Sequence, residues 1–471
     1  MKLLKLQLAS FRCFEKFQIE FDPQLTVLVA SNGAGKTSVL DAIAIALGPY
    51  VGAFDEGAGR HLSPTDILLR RVRITDSNEM EYAPLGVKLS AVGQFPDVLL
   101  EHLGEEDPTD PLHSWSRSLP GPKKTRNSVK DAKKLVDYGK WQQLKVREGV
   151  ETVLPVLAYY GTGRLWQQKK LTLGKLPKTS RTIGYSDCLD PASSYKSLVE
   201  WFRYWNMNAL NERLKATQAG VAYTPSEFDA YISSVENAVN LCLAPSGWKN
   251  LNYSFRQEEL VAEHDQYGEL PVEQLSDGIR NMIGMVADIA FRATKLNPQL
   301  GNQAAISSPG IVLIDEVDMH LHPEWQQVVL LGLTTAFPNI QFIVTTHSPQ
   351  VLSTVDNSCI RLLRQRVEDG ATLTEVIAPP LQTKGVASAD VLATIMGIDP
   401  VPNVPEAQAL SSYKQLIETD QLSDNPEAEQ LRTSLLAHFG ASHPVMLDCE
   451  RLIRLQSIKK RLPPALSSVR E

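Results

Sequence analysis

The chain has 471 residues and a formal net charge of −7, from 47 Lys and Arg against 54 Asp and Glu. Hydrophobic residues make up 43% and charged residues 21%, which indicates a globular chain of two or three domains. The acidic balance excludes a uniformly basic nucleic-acid coat but is compatible with a local basic groove. Five scattered cysteines without a CxxC pair predict unlinked thiols and no cysteine metal site.

No apolar run reaches the ~18 residues that a membrane helix needs. The first six residues alternate as a strand does, and Lys5 and Arg12 interrupt any signal-peptide core. We therefore expect a cytoplasmic protein with no membrane partner.

Residues 3–30 predict strand, turn and strand, and the apolar run Leu25–Val29 predicts a buried strand. A glycine-bearing loop follows at 31–35, and residues 37–48 predict a helix that ends at Gly48. Residues 192–243 predict mainly helix, with Trp201, Phe202 and Trp205 in the core.

Two stretches leave both a functional and a structural interpretation open. The lysine-rich residues 123–147 suit either a nucleic-acid groove or a solvated surface loop. The Gly161–Arg164 turn suits either an approach to nucleotide or nucleic acid, or a tight turn with Arg164 in an ion pair. His320 and His322 have i, i+2 spacing, which suits no helix-face metal site, so we expect solvated or packed histidines.

The most specific motif is a phosphate-binding loop between the apolar strand and the following helix. Backbone N–H groups of such a loop, and the helix N-terminus behind them, attract phosphate oxygens. Lys36 would reach the β- and γ-phosphates, and the Thr37 hydroxyl would bind Mg²⁺. Ala30 departs from the motif, which has a glycine there. The nucleotide-binding prediction covers Asn32, Gly33, Ala34, Gly35, Lys36, Thr37 and Ser38.

A second motif is the apolar strand 311–314, which ends in Asp315 and Glu316. Asp315 would hold Mg²⁺, largely through water, and Glu316 would orient or deprotonate the attacking water. Alone, two acids at a strand end are weak evidence, because solvated acids often stand there. With the phosphate loop upstream, they predict magnesium-dependent hydrolysis.

Two further motifs flank the acidic strand. Ser276, Asp277 and Gly278 precede an apolar helix, where a hydroxyl, a glycine and the helix dipole favour an anion, although such a pattern alone is most often a helix cap. The strand 341–345 ends before His347, which could sense a γ-phosphate. One helix, Glu324 to about Phe337, lies between the two strands and predicts a βαβ crossover.

These four motifs, in this order, resemble the ATP-binding-cassette ATPases of the SMC and RecF type. The resemblance implies an α/β fold: a two-lobed P-loop ATPase head without a long coiled coil. It implies a homodimer of heads, or a higher homo-oligomer, that traps ATP and Mg²⁺ between subunits, with Ser276, Asp277 and Gly278 acting in trans. It places Asp318 at the D-loop position and His347, with Lys36 and Glu316, among the catalytic residues. It also makes Arg12, in Phe11–Phe14, a candidate nucleotide contact.

Departures from that pattern are Asp277, where a glycine is common, and Ile279, where a polar residue is common.

Residues 157–166, 315–326 and 391–400 are similar to those of the Septu-type phage-defence ATPases, which also occur beside retrons. In that family the ATPase works with a separate HNH-type nuclease. Only 124 residues follow His347, without a Toprim acidic pattern, so we expect any nuclease to be a separate chain.

The sequence-based hypothesis is thus a head at 1–380, with second-lobe material at 50–270, and a helical partner- or oligomer-binding region at 381–471. Pro400, Pro402 and Pro405 mark a linker in that region. The predicted function is a nucleotide-gated ATPase that controls a nuclease in antiviral defence and contacts DNA or RNA. The alternatives are a RecF-like DNA repair ATPase and an ATP-stabilised scaffold with little turnover.

Overall fold

The computed structural model describes residues 1–74, 77–95, 112–123, 130–165, 180–191, 195–368, 371–423 and 425–461. Contacts divide the chain into two compact units, Met1–Val391 and Leu392–Glu471. Residues 124–129 of the lysine-rich stretch and residue 166 of the stretch 157–166 lie outside the described residues.

The strands of the first unit, in chain order, are β1 Lys2–Phe11, β2 Phe14–Glu20, β3 Leu25–Val29, β4 Leu69–Ile74, β5 Ser77–Tyr82, β6 Val87–Gln94, β7 Leu112–Leu119, β8 Val156–Tyr160, β9 Trp248–Ser254, β10 Glu259–His264, β11 Gly268–Pro271, β12 Gly310–Ile314, β13 Ile340–Thr345, β14 Ile360–Glu368 and β15 Ala371–Ile377. The helices of the two units together are α1 Lys36–Val51, α2 Lys133–Arg147, α3 Tyr195–Gln218, α4 Glu227–Leu243, α5 Asp277–Leu296, α6 Ala304–Ser307, α7 Pro323–Gln326, α8 Val329–Ala336, α9 Pro349–Leu352, α10 Ser388–Thr394, α11 Pro405–Glu418, α12 Pro426–Phe439 and α13 Pro444–Arg461.

The central sheet has the strand order β15-β14-β3-β13-β12-β8, and every pair except β14 with β15 is parallel. β3, β8, β12 and β13 are buried along their full length, as strands covered on both faces are. Because they run in parallel, their carboxyl ends meet at one edge of the sheet. This confirms the predicted α/β fold and brings the loops after β3, β12 and β13 together.

Three smaller antiparallel sheets complete the described part of this unit: β2-β1-β6-β7, β11-β10-β9 and β4-β5. Helices α3, α4 and α5 pack together beside β9, and Trp201, Phe202 and Trp205 are buried there, as predicted. The longest helix among the described residues is α3, with 24 residues. Within that same part of the chain, no helix is long and apolar enough to cross a membrane.

The prediction that the first helix ends at Gly48 is wrong, because α1 continues to Val51 with Pro49 inside it. Proline has no N–H, so the Ile45 carbonyl loses its partner within the helix. The Arg117 guanidinium donates to that carbonyl at 3.0 Å and replaces the missing bond. A Cβ at Gly48 would lie 2.2 Å from the Arg60 carbonyl oxygen, so this glycine serves a close approach rather than a helix end.

The prediction of a single helix over residues 324–337 is also wrong, because two short helices, α7 and α8, lie in this part of the chain. Val328 has a φ of −118° and donates to the Trp325 carbonyl three residues back, so the first helix ends in a tight turn. The surface-loop alternative for the lysine-rich stretch does not hold over residues 133–147. These residues form α2, which buries Leu135 and Tyr138.

The second unit is helical, as predicted. Its core joins α11, α12 and α13 through the buried side chains of Tyr413, Ile417, Leu435, Met446 and Cys449. Pro405 begins α11, and Pro400 and Pro402 lie in the non-helical stretch before it. The five cysteines carry free thiols, as predicted. The assignment of this region to partner binding stays a prediction.

Candidate functional site

The phosphate loop, residues 30–35, leads directly from β3 into α1. Gly33 and Gly35 have φ values of 79° and 96°, in the left-handed region that favours glycine. A Cβ at Gly35 would also lie 2.4 Å from Cζ of Phe14, so a side chain there would push the loop away from β2. These two glycines explain why the chain can turn this tightly before the helix begins.

Lys36 begins α1 and folds back over the loop. Its Nζ donates to the carbonyl oxygens of Ala30 at 2.9 Å and Ser31 at 3.3 Å. Burial lowers the pKa of the Lys36 ammonium, while Asp315, Glu316 and Asp318 oppose that shift by favouring the charged form. The ammonium is therefore held beside the loop backbone and faces three carboxylates from the segment after β12.

The side chains of the phosphate loop and the acidic strand end meet at Thr37. Its Oγ1 donates to Oδ2 of Asp315 at 2.7 Å, although 278 positions separate the two residues in sequence. Asp315 is 2% exposed and follows β12, whose last residue lies between Tyr160 and Val344 in the parallel register. A hydroxyl and a carboxylate side by side are oxygen ligands that suit Mg²⁺. The two residues predicted to bind the metal are thus adjacent.

Thr345, the last residue of β13, forms hydrogen bonds with both acidic residues. Its Oγ1 donates to Oδ1 of Asp315 at 2.6 Å and accepts the backbone N–H of Glu316 at 2.7 Å. Glu316 has a φ of 50°, an uncommon conformation for a residue with a side chain, and this hydrogen bond supports it. Thr345 belongs to the predicted strand 341–345, but no role was predicted for it. Its place beside Asp315 depends on the register of β12 against β13, in which Ile314 lies opposite Val344, and the sequence alone does not give that register.

The next residues repeat the same arrangement. Thr346 donates through Oγ1 to Oδ1 of Asp318 at 2.6 Å and accepts the N–H of Ser348 at 2.9 Å. The loop after β13 is thereby tied to the loop after β12 at two successive threonines. His347 lies between these contacts, half-buried at the same sheet edge.

Arg12, the candidate nucleotide contact, is bound by carboxylates. Its guanidinium pairs with Asp41 and with Asp66, the latter at 2.9 Å. Burial alone would lower the pKa of Arg12, but these two carboxylates outweigh it, and the net shift is upward. Asp41 also pairs with Arg60 and accepts the Tyr159 hydroxyl at 3.0 Å. Arg12 therefore braces α1 against the segment before β4, and its contact with nucleotide stays a prediction.

The signature residues lie at the start of α5. Ser276 occupies the N-cap position, but its side chain makes no cap hydrogen bond. Ser276 and Asp277 are exposed, and Asp277 pairs with Arg280 at 2.7 Å. Gly278 is buried against the segment after β12, where an added Cβ would lie 2.5 Å from the His320 carbonyl oxygen. A hydroxyl without a cap hydrogen bond, at an exposed helix N-terminus, can hydrogen-bond to an anion from outside the subunit.

The two histidines of the acidic segment differ in their surroundings. His320 is exposed, and His322 precedes α7, where its Nδ1 accepts the Glu324 N–H at 3.4 Å. Within the described ranges, no group of three or more His, Cys, Asp or Glu side chains could hold a metal ion by itself. The two-residue ligand set at Thr37 and Asp315 instead suits a metal that also binds phosphate oxygens and water.

Two family models match the chain. One is described as "AAA domain" and matches residues 5–222, and the other, "AAA domain, putative AbiEii toxin, Type IV TA system", matches residues 247–353. The first contains the phosphate loop, and the second contains the signature residues, the acidic strand and the strand that ends before His347.

Among curated relatives, the Retron Ec83 probable ATPase of Escherichia coli is 26% identical over 98% of this chain and 87% of its own. The Septu protein PtuA of Bacillus mycoides is 34% identical over 25% of this chain and 17% of its own. A solved SMC head bound to the C-winged helix domain of ScpA is 16% identical, covering 80% of this chain and 98% of its own, with a TM-score of 0.46. The fold assignment rests on the sheet and the phosphate loop rather than on this distant likeness.

Proposed function

We propose that this chain, which is an ABC-type ATPase of the SMC/RecF-like branch related to Septu and retron defence proteins, is a nucleotide-gated switch. It binds ATP at the phosphate loop, hydrolyses it between two copies of its own head, and passes the state of the nucleotide to a nuclease partner. The observation that carries the proposal is the 2.7 Å hydrogen bond between Thr37 and Asp315. This bond joins the nucleotide-binding and acidic motifs into one site.

The described residues divide the chemistry between them. Lys36, at the mouth of the loop, would contact the β- and γ-phosphates, and backbone N–H groups of residues 32–38 would surround them. Glu316 would orient the attacking water and take its proton. His347, beside the same sheet edge, would hydrogen-bond the γ-phosphate and report its presence.

The residues that would hold Mg²⁺ are Thr37 and Asp315, and their oxygens fit its preference for hard ligands in a partly hydrated shell. When bound, the ion neutralises charge on the phosphate oxygens. Thr345 fixes the orientation of Asp315 through its other carboxylate oxygen, so this ligand is preorganised without the ion.

The signature residues are the part of this chain that would contact the nucleotide bound by a second head. Ser276 and Asp277 are exposed, and the Ser276 hydroxyl makes no cap hydrogen bond, so it is available to a nucleotide held by another copy. Gly278 contacts the His320 carbonyl in the segment that also carries Glu316 and Asp318. This contact gives each signature helix a direct connection to the acidic segment of its own subunit.

The nuclease partner is proposed from the relatives. The chain is similar over 98% of its length to a retron ATPase and over a quarter of its length to a Septu protein, and the sequence motifs pointed to the same systems. We infer a role in phage defence, with a separate HNH-type nuclease as the effector and the helical unit 392–471 as its docking region.

The test is purification of the tagged chain from its native operon, followed by mass spectrometry and ATPase assay. We expect a small nuclease at a fixed stoichiometry, and ATP turnover that Lys36→Ala abolishes. A homo-oligomer without a nuclease, whose turnover rises with DNA ends or gaps, would instead support the RecF-like repair alternative. Tight ATP binding without turnover would support the scaffold alternative.

A further inference from the structure

A cavity of about 230 Å³ lies where α3, α4 and the last turn of α5 meet. Five aromatic rings and one lysine form much of its lining: Trp201, Tyr204, Trp205, Phe228, Tyr231 and Lys295. Arg181 and Glu227 also line it, so side chains of both charges face the pocket. We call it the aromatic pocket. It shares no lining residue with the phosphate loop, the acidic segment or the signature residues.

The lysine of the aromatic pocket has a carboxylate nearby but no direct ion pair with it. Nζ of Lys295 lies 3.8 Å from the ring centroid of Trp201, and the Lys295 ammonium forms no hydrogen bond or ion pair with the side chain of any described residue. The nearby Glu227 carboxylate instead accepts the Tyr231 hydroxyl at 2.8 Å. Burial lowers the pKa of Lys295 to about 8, and Glu227 offsets only part of that shift. An anion entering the pocket would meet an ammonium whose charge Glu227 compensates only in part.

The aromatic rings differ in how much of them a ligand can reach. Trp201 and Trp205 are buried, at 7% and 1% exposure, whereas Tyr204, Phe228 and Tyr231 are half-buried. Tyr204 and Phe228 stand nearly perpendicular, with ring centroids 6.0 Å apart, and Phe228 and Tyr231 do the same at 6.2 Å. Tyr204, Phe228 and Tyr231 are therefore the rings that a planar group can reach. The volume is below the ~300–1,000 Å³ of drug-sized ligand sites, which suits a single ring system.

We propose that the aromatic pocket binds one nucleotide, with its base against Tyr204, Phe228 and Tyr231 and its phosphate on the Lys295 ammonium. Aromatic faces that accept any base, together with a cation for the backbone, are how proteins hold unpaired nucleotides. The same chemistry is presented by a free mononucleotide and by one unit of a single strand, and the experiment below separates them.

The pocket and the signature residues lie at opposite ends of one helix. Lys295 lies in the last turn of α5 and Ser276 occupies its N-cap position, so 19 residues of helix, roughly 28 Å, separate them. The lining residues of the pocket include none of the phosphate loop. The proposal stands without the ATPase function.

Photocrosslinking of the full chain tests the proposal directly. The protein carries Lys36→Ala to weaken binding at the phosphate loop, and the probes are 5-iodo-deoxyuridine monophosphate and a deoxythymidine hexamer with one 5-iodouracil. We expect peptide mass spectrometry to place the adduct on Tyr204, Phe228 or Tyr231. An adduct from the monophosphate alone identifies a free nucleotide, and one from the hexamer alone identifies a single strand. No adduct between residues 201 and 231 with either probe overturns the proposal.

Affinity measurements of the same hexamer supply the second test. We expect Lys295→Gln to weaken binding at least tenfold, while Lys215→Gln, an exposed lysine on α3, leaves it unchanged. A hexamer with abasic sites keeps the phosphates and should bind at least tenfold more weakly. Equal affinity of Lys295→Gln and the parent, or of the abasic and normal hexamers, contradicts the assigned contacts. Circular dichroism of both variants controls for folding.

Discussion

Replacing Thr345 by valine removes one hydroxyl while keeping the β-branched shape that β13 buries completely. The change takes a hydrogen bond from Oδ1 of Asp315 and leaves the N–H of Glu316 without its acceptor. A hydrogen bond to a charged group contributes about 1.5–3 kcal/mol, and an unsatisfied buried donor costs about 1–3 kcal/mol. Both losses fall on Asp315 and Glu316, the two residues whose carboxylates are proposed to hold the metal and activate water.

We expect Thr345→Val to lower kcat roughly tenfold to hundredfold, which corresponds to about 1.4–2.7 kcal/mol in the activation free energy. We expect the substitution to lower kcat rather than ATP affinity, because Lys36 and the loop backbone still bind the phosphates. Steady-state ATP hydrolysis, with ATP affinity measured separately by a fluorescent analogue, distinguishes the two effects. The variant should bind ATP within about threefold of the parent.

Two control variants make the result specific. Thr345→Ser keeps the hydroxyl and should retain most of the activity, at the cost of about one buried methyl group, ~0.8 kcal/mol of stability. Thr294→Val removes another buried threonine hydroxyl, which donates to the Ala290 carbonyl within α5. It should leave kcat unchanged. Full activity of Thr345→Val, or equal losses in Thr345→Val and Thr294→Val, would refute the positioning role.

The remaining predictions concern the signature helix. We expect Gly278→Ala to lower ATP turnover at least tenfold with ATP binding intact, because its Cβ would meet the His320 carbonyl oxygen at 2.5 Å and displace the acidic segment; wild-type turnover would contradict this. We expect Asp288→Asn to lower the free energy of unfolding by about 3–5 kcal/mol in urea denaturation, because it removes the negative charge that compensates the buried Arg292 guanidinium at 2.8 Å. The exposed Asp277→Asn is the matched control and should change stability by no more than about 0.5 kcal/mol; equal effects would contradict the buried pair's contribution.

Much of the fold and the grouping of the candidate site could be predicted from local sequence signals. The run Leu25–Val29, the loop after it and Lys36 identify one strand, one turn and one helix start without any long-range information. The apolar strands before Asp315 and before His347 can likewise be identified from their local sequence. Parallel strand ends then bring these motifs to one sheet edge, as the structure shows.

What could not be predicted depends on contacts between distant residues. The position of Thr345 beside Asp315 requires the register of β12 against β13. The continuation of α1 past Gly48 depends on Arg117, 68 residues after Pro49, replacing a lost hydrogen bond. The carboxylates that bind Arg12 come from a helix and from a separate turn at residues 64–66. No single-sequence pattern contains these contacts.

The central claim is that two heads close on ATP, and Glu316→Gln tests it most directly. The substitution keeps the metal ligands Thr37 and Asp315 while removing the carboxylate that activates water, so ATP should be bound and not consumed. The measurement is mass by light scattering on a sizing column, with and without ATP and Mg²⁺, beside the Lys36→Ala/Glu316→Gln double variant. We predict an ATP-dependent doubling of mass in the single variant only. A mass that does not change with ATP in Glu316→Gln would contradict the account.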